Sequence, residues 1–251
     1  FTFGGTNDLS FANGTSIAAG SRTITLNGTD RTLTFGTLSI TSATTQTIND
    51  GGSGNKLVLG GLVLAENNQT RAQTFAGTAA IEITGAVTDG TGTGADSLSY
   101  TGSSTLTLGG SSNTYTGTTT MNNAAGTLTL AGSSTTSAVT LTAGRLNVNH
   151  ASAIGAGTLT LTAGTIDNTS AADITVATAN NVVIGGNLTF GGTHSLSFAN
   201  GTASIGGSRI FTLNGTGETL TFGPVSFTNS NTLTVNDAGS GNKLVLSGMV
   251  L

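Results

Sequence analysis

The ionisable side chains of this chain are few: eleven Asp and Glu, seven Lys and Arg, two His and no Cys. The nearest approach to a ligand motif is Thr91-Gly-Thr-Gly-Ala-Asp-Ser-Leu-Ser99. It matches the calcium nonapeptide of β-roll proteins except that Thr91 replaces the first glycine. Carboxylate oxygens suit a hard cation, so Asp96 and Asp89 are the candidate calcium ligands. Such sites share each ion between consecutive nonapeptides, and one copy stands here, so a corner loop is the favoured reading. Glycosidase chemistry needs two facing carboxyls about 5–9.5 Å apart. Asp50 and Asp237 lie in matching contexts, Asn49-Asp-Gly-Gly-Ser-Gly-Asn-Lys56 and Asn236-Asp-Ala-Gly-Ser-Gly-Asn-Lys243. A turn holding a local Asp–Lys interaction explains both. His150 and His194 read as surface or turn residues. Gly92 and Gly94 precede a strand-like run rather than a helix, and no Gly-Lys-Ser/Thr follows, so no nucleotide loop is indicated. No Gly-x-Ser-x-Gly elbow stands beside a usable histidine. We therefore expect no catalytic residue, no resident cofactor and no enzyme.

The elements that carry these residues repeat. Residues 1–64 and 188–251 are two copies of one segment at a constant offset of 187. The run LSFANGT at 9–15 recurs at 196–202, LNGT at 26–29 recurs at 213–216, and GNKLVL at 54–59 recurs at 241–246. Self-similarity at a fixed period marks a repeat architecture. Residues 1–187 read as one full tandem unit and 188–251 as the start of the next, cut from a longer array. Between the copies Asp8 becomes Ser195, Asp30 becomes Gly217 and Asn7 becomes His194. None of these carboxylates, nor the histidine, can then serve an obligate role in every unit.

Composition narrows the class. Charged residues are 7% and hydrophobic ones 36%, with net charge −4 and pI about 4.8. Disordered chains usually pair low hydrophobicity with high net charge, so order is expected. Mild acidity and scattered basic residues disfavour nucleic acid. No run reaches the ~18 apolar residues of a membrane helix.

Apolar–polar alternation runs along most of the chain, as at Thr105-Leu-Thr-Leu108, Thr127-Leu-Thr-Leu130 and Thr158-Leu-Thr-Leu-Thr162. Period two means half-buried strands. The runs end in turn signals such as Asn27-Gly28, Gly109-Gly110 and Asn214-Gly215. Like motifs recur 22 residues apart (Leu106 to Leu128) and 31 apart (Leu128 to Leu159), a range that suits solenoid coils. The predicted fold is all-β: a parallel β-helix, or β-solenoid, continuous through both copies. At about 22 residues and 4.8 Å per coil, one unit holds roughly eight coils over about 40 Å. Leu, Val, Ile and Phe should face inward, with Thr, Ser and Asn outward.

Residues 104–133 carry a more specific pattern: Leu106-Thr-Leu108, Asn113-Thr-Tyr-Thr-Gly117, a Thr-rich 118–120 and Gly126-Thr-Leu-Thr-Leu130. This resembles the autotransporter-associated β-strand repeat, also called the passenger-associated transport repeat. Residues 145–168, with Ala153-Ile-Gly-Ala-Gly-Thr-Leu-Thr-Leu161, look like a second element of such passengers. The strong match covers about 65 residues, and the link Asn122-Asn123-Ala124 is longer than usual. The resemblance implies a right-handed β-helical stalk on a bacterial cell surface, exported through the outer membrane, and implies no activity.

The expected function is a structural extracellular fibre or stalk. Self-association along or between chains is expected, since an uncharged Thr/Asn surface repels its like weakly. The alternative is an adhesin whose Thr/Asn-rich face binds surface glycans, another cell or ice. A polysaccharide-degrading β-helix would need clustered Asp, Arg or Lys in a cleft. Asn-x-Ser/Thr sequences such as Asn13-Gly-Thr15 and Asn68-Gln-Thr70 fit the glycosylation pattern, but chance supplies them in so Asn/Thr-rich a chain.

Overall fold

The computed structural model describes residues 1–65, 70–91, 94–135, 137–228 and 231–250, with the backbone alone at 15–17. Among them are 24 strands and no helix. The pairings are parallel, and each joins a strand to those one turn before and one turn after it. The chain is a β-solenoid with three faces.

The first face runs through Thr2–Phe3, Arg22–Leu26, Thr45–Asp50, Ala72–Gly77, Ser97–Tyr100, residues 119–121 and 139–141, Leu159–Leu161, Asn181–Ile184, Thr202–Gly206 and 225–228. The second runs through 9–11, 33–35, 57–59, Ala80–Ile83, Thr105–Leu108, 127–130, 145–148, Thr165–Asp167, Leu188–Phe190, Arg209–Leu213 and Leu233–Asp237. The third includes 37–40, Val87–Thr88, the bridge Asn113–Ser134, Ile174–Thr175, Leu196–Phe198, 219–222 and 243–246.

Alternation puts every second side chain inside. Thr105–Leu108 and Ala80–Ile83 alternate half-buried and buried. On the second face Ile81, Leu106, Leu128, Leu146, Ile166 and Phe190 stack turn on turn, each fully buried. Burial of such a side chain contributes about 1.5–3 kcal/mol. Along each inner strand the N–H and C=O groups pair alternately with the turn before and the turn after, so open edges belong to terminal turns.

Three expectations are corrected. Leu128 pairs with Leu146, not with the turn of Leu159, which stacks on Val139 of another face. The 31-residue spacing therefore crosses more than one turn. Second, several strands bend around a corner instead of stopping there, Thr119–Leu130 among them. The longer link at Asn122-Asn123-Ala124 is absorbed as register shifts within that strand. Third, asparagine does not simply face outward. Asn55, Asn113, Asn168 and Asn180 are buried, as is Gln73.

Candidate functional site

The buried amides form the best-defined polar constellation: Asn55, Asn168 and Asn180 stand at corners between strands, Asn113 in a bridge of the third face and Gln73 in the strand Ala72–Gly77. A corner turns carbonyl and amide groups away from the ladder, and a buried one must find another partner. The Asn55 side chain donates to Gly28 O at 2.6 Å, Leu26 O at 3.2 Å and Asp50 Oδ1 at 2.6 Å, and its Oδ1 accepts the Arg31 N–H at 3.0 Å. Asn180 donates to Gly155 O and Gly157 O at 2.6 and 2.7 Å. Asn113, within the Asn-Thr-Tyr-Thr-Gly motif, takes the Val87 N–H at 2.9 Å and donates to Gly110 O and Ser133 O. Gln73 reaches Ser42 O and Leu64 O at 2.9 and 2.8 Å. Each amide ties its own turn to a neighbouring one. Sequence reasoning missed Asn55 because Asn beside Gly also signals an exposed turn, and missed Asn113, Asn180 and Gln73, which adjoin no glycine, because their partners lie one turn away. The available signal was Gly-Asn-Lys directly ahead of Leu-Val-Leu, in both copies.

Asp50 was expected to meet Lys56. Instead its carboxylate accepts from Gly52 N, Asn55 N and the Asn55 amide, while Lys56 Nζ reaches Glu82 on the next turn at 2.7 Å. The local carboxylate closes the loop, and the longer lysine arm is free to follow the stacking direction. Asp237 repeats the arrangement with Asn242.

The calcium candidates Asp89 and Asp96 are brought together. The Asp96 N–H donates to Asp89 Oδ1 at 3.1 Å, and Asp96 Oδ1 accepts the Arg71 N–H at 2.6 Å. Asp89 Oδ2 accepts from Thr116 N and Thr116 Oγ1 at 2.9 and 2.8 Å. Burial raises the Asp96 carboxyl above its ordinary range, opposed by the Arg71 N–H. These oxygens bind backbone N–H groups and the Thr116 hydroxyl across a corner. Gly92 and Thr93 of the nonapeptide lie outside the described residues, as do Asn68 and Gln69 of the glycosylation sequence. Among the described residues no group of three or more His, Asp or Glu side chains is placed to hold a metal ion.

Asp167 is buried and anchors a fourth cluster. It pairs with Arg145 at 2.6 Å and accepts from Asn168 N, Thr193 N and Thr193 Oγ1. His150 Nδ1 accepts the Ser152 N–H at 3.0 Å in an exposed turn. Burial raises the Tyr115 phenol, which bonds the Thr119 hydroxyl, and raises Tyr100 to about 12. Beneath the first turns lies an apolar cavity of about 230 Å³ lined by Ile24, Phe35, Leu38, Ile48 and Phe75 among others. Its walls supply no acid–base pair. On the surface, the Thr105/Thr107 pair stacks on Thr127/Thr129, but the next turn places Arg145 and the buried Asn147 at those positions. The Thr-x-Thr rank there is two turns deep. Comparison with family models, with curated proteins and with solved structures gives no match.

Proposed function

We propose that this protein is a structural element: a non-catalytic β-solenoid rod, a stalk or fibre carried at the cell surface or outside the cell. One observation carries the reading. The parallel ladder and its buried column run without a break from the first copy of the repeat through Leu188–Phe190 into the second. Buried Asn55, Gln73, Asp96, Asn113 and Asn180 hold turn to turn, which is what a rod under tension requires. The likeness of residues 104–133 to the autotransporter-associated β-strand repeat supports a bacterial surface stalk exported through the outer membrane. Chains of this kind would associate with one another through their uncharged Thr/Asn faces, or meet surface glycans.

Electron microscopy of the purified chain tests the proposal. Rods of uniform width, about 4.8 Å longer for every turn, are expected; compact particles would overturn it. Release of sugar from polysaccharides by the purified chain would overturn the non-catalytic assignment.

A further inference from the structure

The sequence unit and the structural turn are out of step. Thr2–Phe3 opens the first face, which is crossed again at Arg22–Leu26, Thr45–Asp50, Ala72–Gly77, Ser97–Tyr100, 119–121, 139–141, Leu159–Leu161 and Asn181–Ile184, eight turns later. The counterpart of Thr2–Phe3 in the second copy is 189–190, in the strand that follows. That strand, Leu188–Phe190, stacks on Thr165–Asp167 of the second face. The shift holds for every equivalent element. Residues 9–11 lie on the second face and Leu196–Phe198 on the third; residues 38–40 lie on the third and 225–227 on the first.

Local geometry is nevertheless kept. Phe3 pairs with Leu26 as Phe190 does with Leu213, and Leu33 with Leu57 as Leu220 does with Leu244. The bridge Thr29–Ser53 recurs as Thr216–Ser240. One unit of 187 residues thus advances the chain by eight turns plus one face.

We propose that tandem copies of this unit present their equivalent surfaces as a three-fold screw. Each copy is turned by one face relative to the copy before it. The starting face returns after three copies, about 120 Å along the rod at 4.8 Å per turn, apart from any cumulative twist between turns. A feature borne by the repeat, such as the exposed corner around Asp50 and Asp237, is then offered on all three sides. A neighbour recognising it cannot be zipped along a single stripe; the rod can engage partners all around its axis. The turn between the two copies lies within this chain, and only its continuation rests on the rod reading.

The absence of cysteine makes the test direct. Thr165→Cys with Thr189→Cys places two thiols on directly paired residues of adjacent turns, within the Cα separation that a disulfide spans. Oxidation should crosslink this pair in most of the folded protein. An in-step unit would instead seat 188–190 on the first face over Leu159–Leu161, and Thr160→Cys with Thr189→Cys, which samples that placement, should stay uncrosslinked. Thr160→Cys with Val183→Cys, paired on the first face, is the control for folding. A crosslink at 160/189, or none at 165/189 while the control closes, would overturn the screw. Compact particles in which 165/189 closes would overturn the rod and leave the one-face turn standing.

Discussion

At the scale of single residues, the distinction is between polar groups that bind backbone and polar groups that face water. Asn180→Ala would leave the Gly155 and Gly157 carbonyls without their buried donors, a loss of about 1–3 kcal/mol readable as a lower denaturation midpoint. Asp96→Asn should behave differently. The amide oxygen can still accept the Arg71 N–H, and the variant carries no buried charge. Because burial raises the Asp96 carboxyl, its protonated form is favoured in the fold, and its contribution is lost as pH rises through the folded value. At pH 7, Asp96→Asn should therefore match or exceed the parent chain in urea midpoint, and the difference should shrink in acid. A large loss with this variant, together with a calcium-dependent rise in the parent's midpoint, would instead identify Asp96 as an ion ligand. Tyr100 gives a second titration. With its phenol raised to about 12, its stabilising contribution is complete below about pH 10 and is lost toward 12. Tyrosinate absorbance should show it ionising far above an unfolded tyrosine.

At the scale of the element, corners set the limits. Gly36, inside Thr32–Ile40, and its counterpart Gly223, inside Thr219–Thr228, sit where a strand passes from one face to the next. A Cβ on Gly36 would collide with the carbonyl oxygen of Gly14, and one on Gly223 with that of Gly201. Either Gly→Ala change should cost about 1–3 kcal/mol. Gly4→Ala, with open space around it, should fall within about 0.5 kcal/mol of the parent. Chemical denaturation of the three variants side by side checks the ordering. Strands were legible in the sequence because alternation records which side chains enter the core, as at Thr105–Leu108 and Leu159–Leu161. Corners were not. Asn55 and Asn27 both adjoin glycine in Asn/Gly-rich turns, yet Asn55 is buried and braces two turns while Asn27 is exposed. The difference lies in carbonyls some 27 residues away, which no local pattern records. The Asp89–Asp96 pairing was foreseeable as proximity, but its partners Arg71 and Thr116 belong to adjacent turns.

At the scale of the whole molecule, contacts between turns are near neighbours in space and about one turn apart in sequence. Solenoids of this kind have stability that sums over adjacent units rather than closing around one centre. Hydrogen exchange should accordingly be slowest in the middle turns, around Tyr100, Leu128 and Leu146, and fastest at Leu233–Asp237, whose residues are largely exposed. Uniform protection along the chain would contradict this. Parallel stacking and continuity were readable from the long repeat. The phase between repeat and turn was not, because turn length varies: Leu33 to Leu57 spans 24 residues and Leu128 to Leu146 only 18.

That phase bears on heredity. Stretches as alike as residues 1–64 and 188–251 invite unequal recombination at the level of the gene, which would remove or insert whole units. Such an event would change reach and compass heading together: everything downstream would swing to a neighbouring side of the shaft. The joint itself would still fit, because each copy would meet the one before it through the same one-face step.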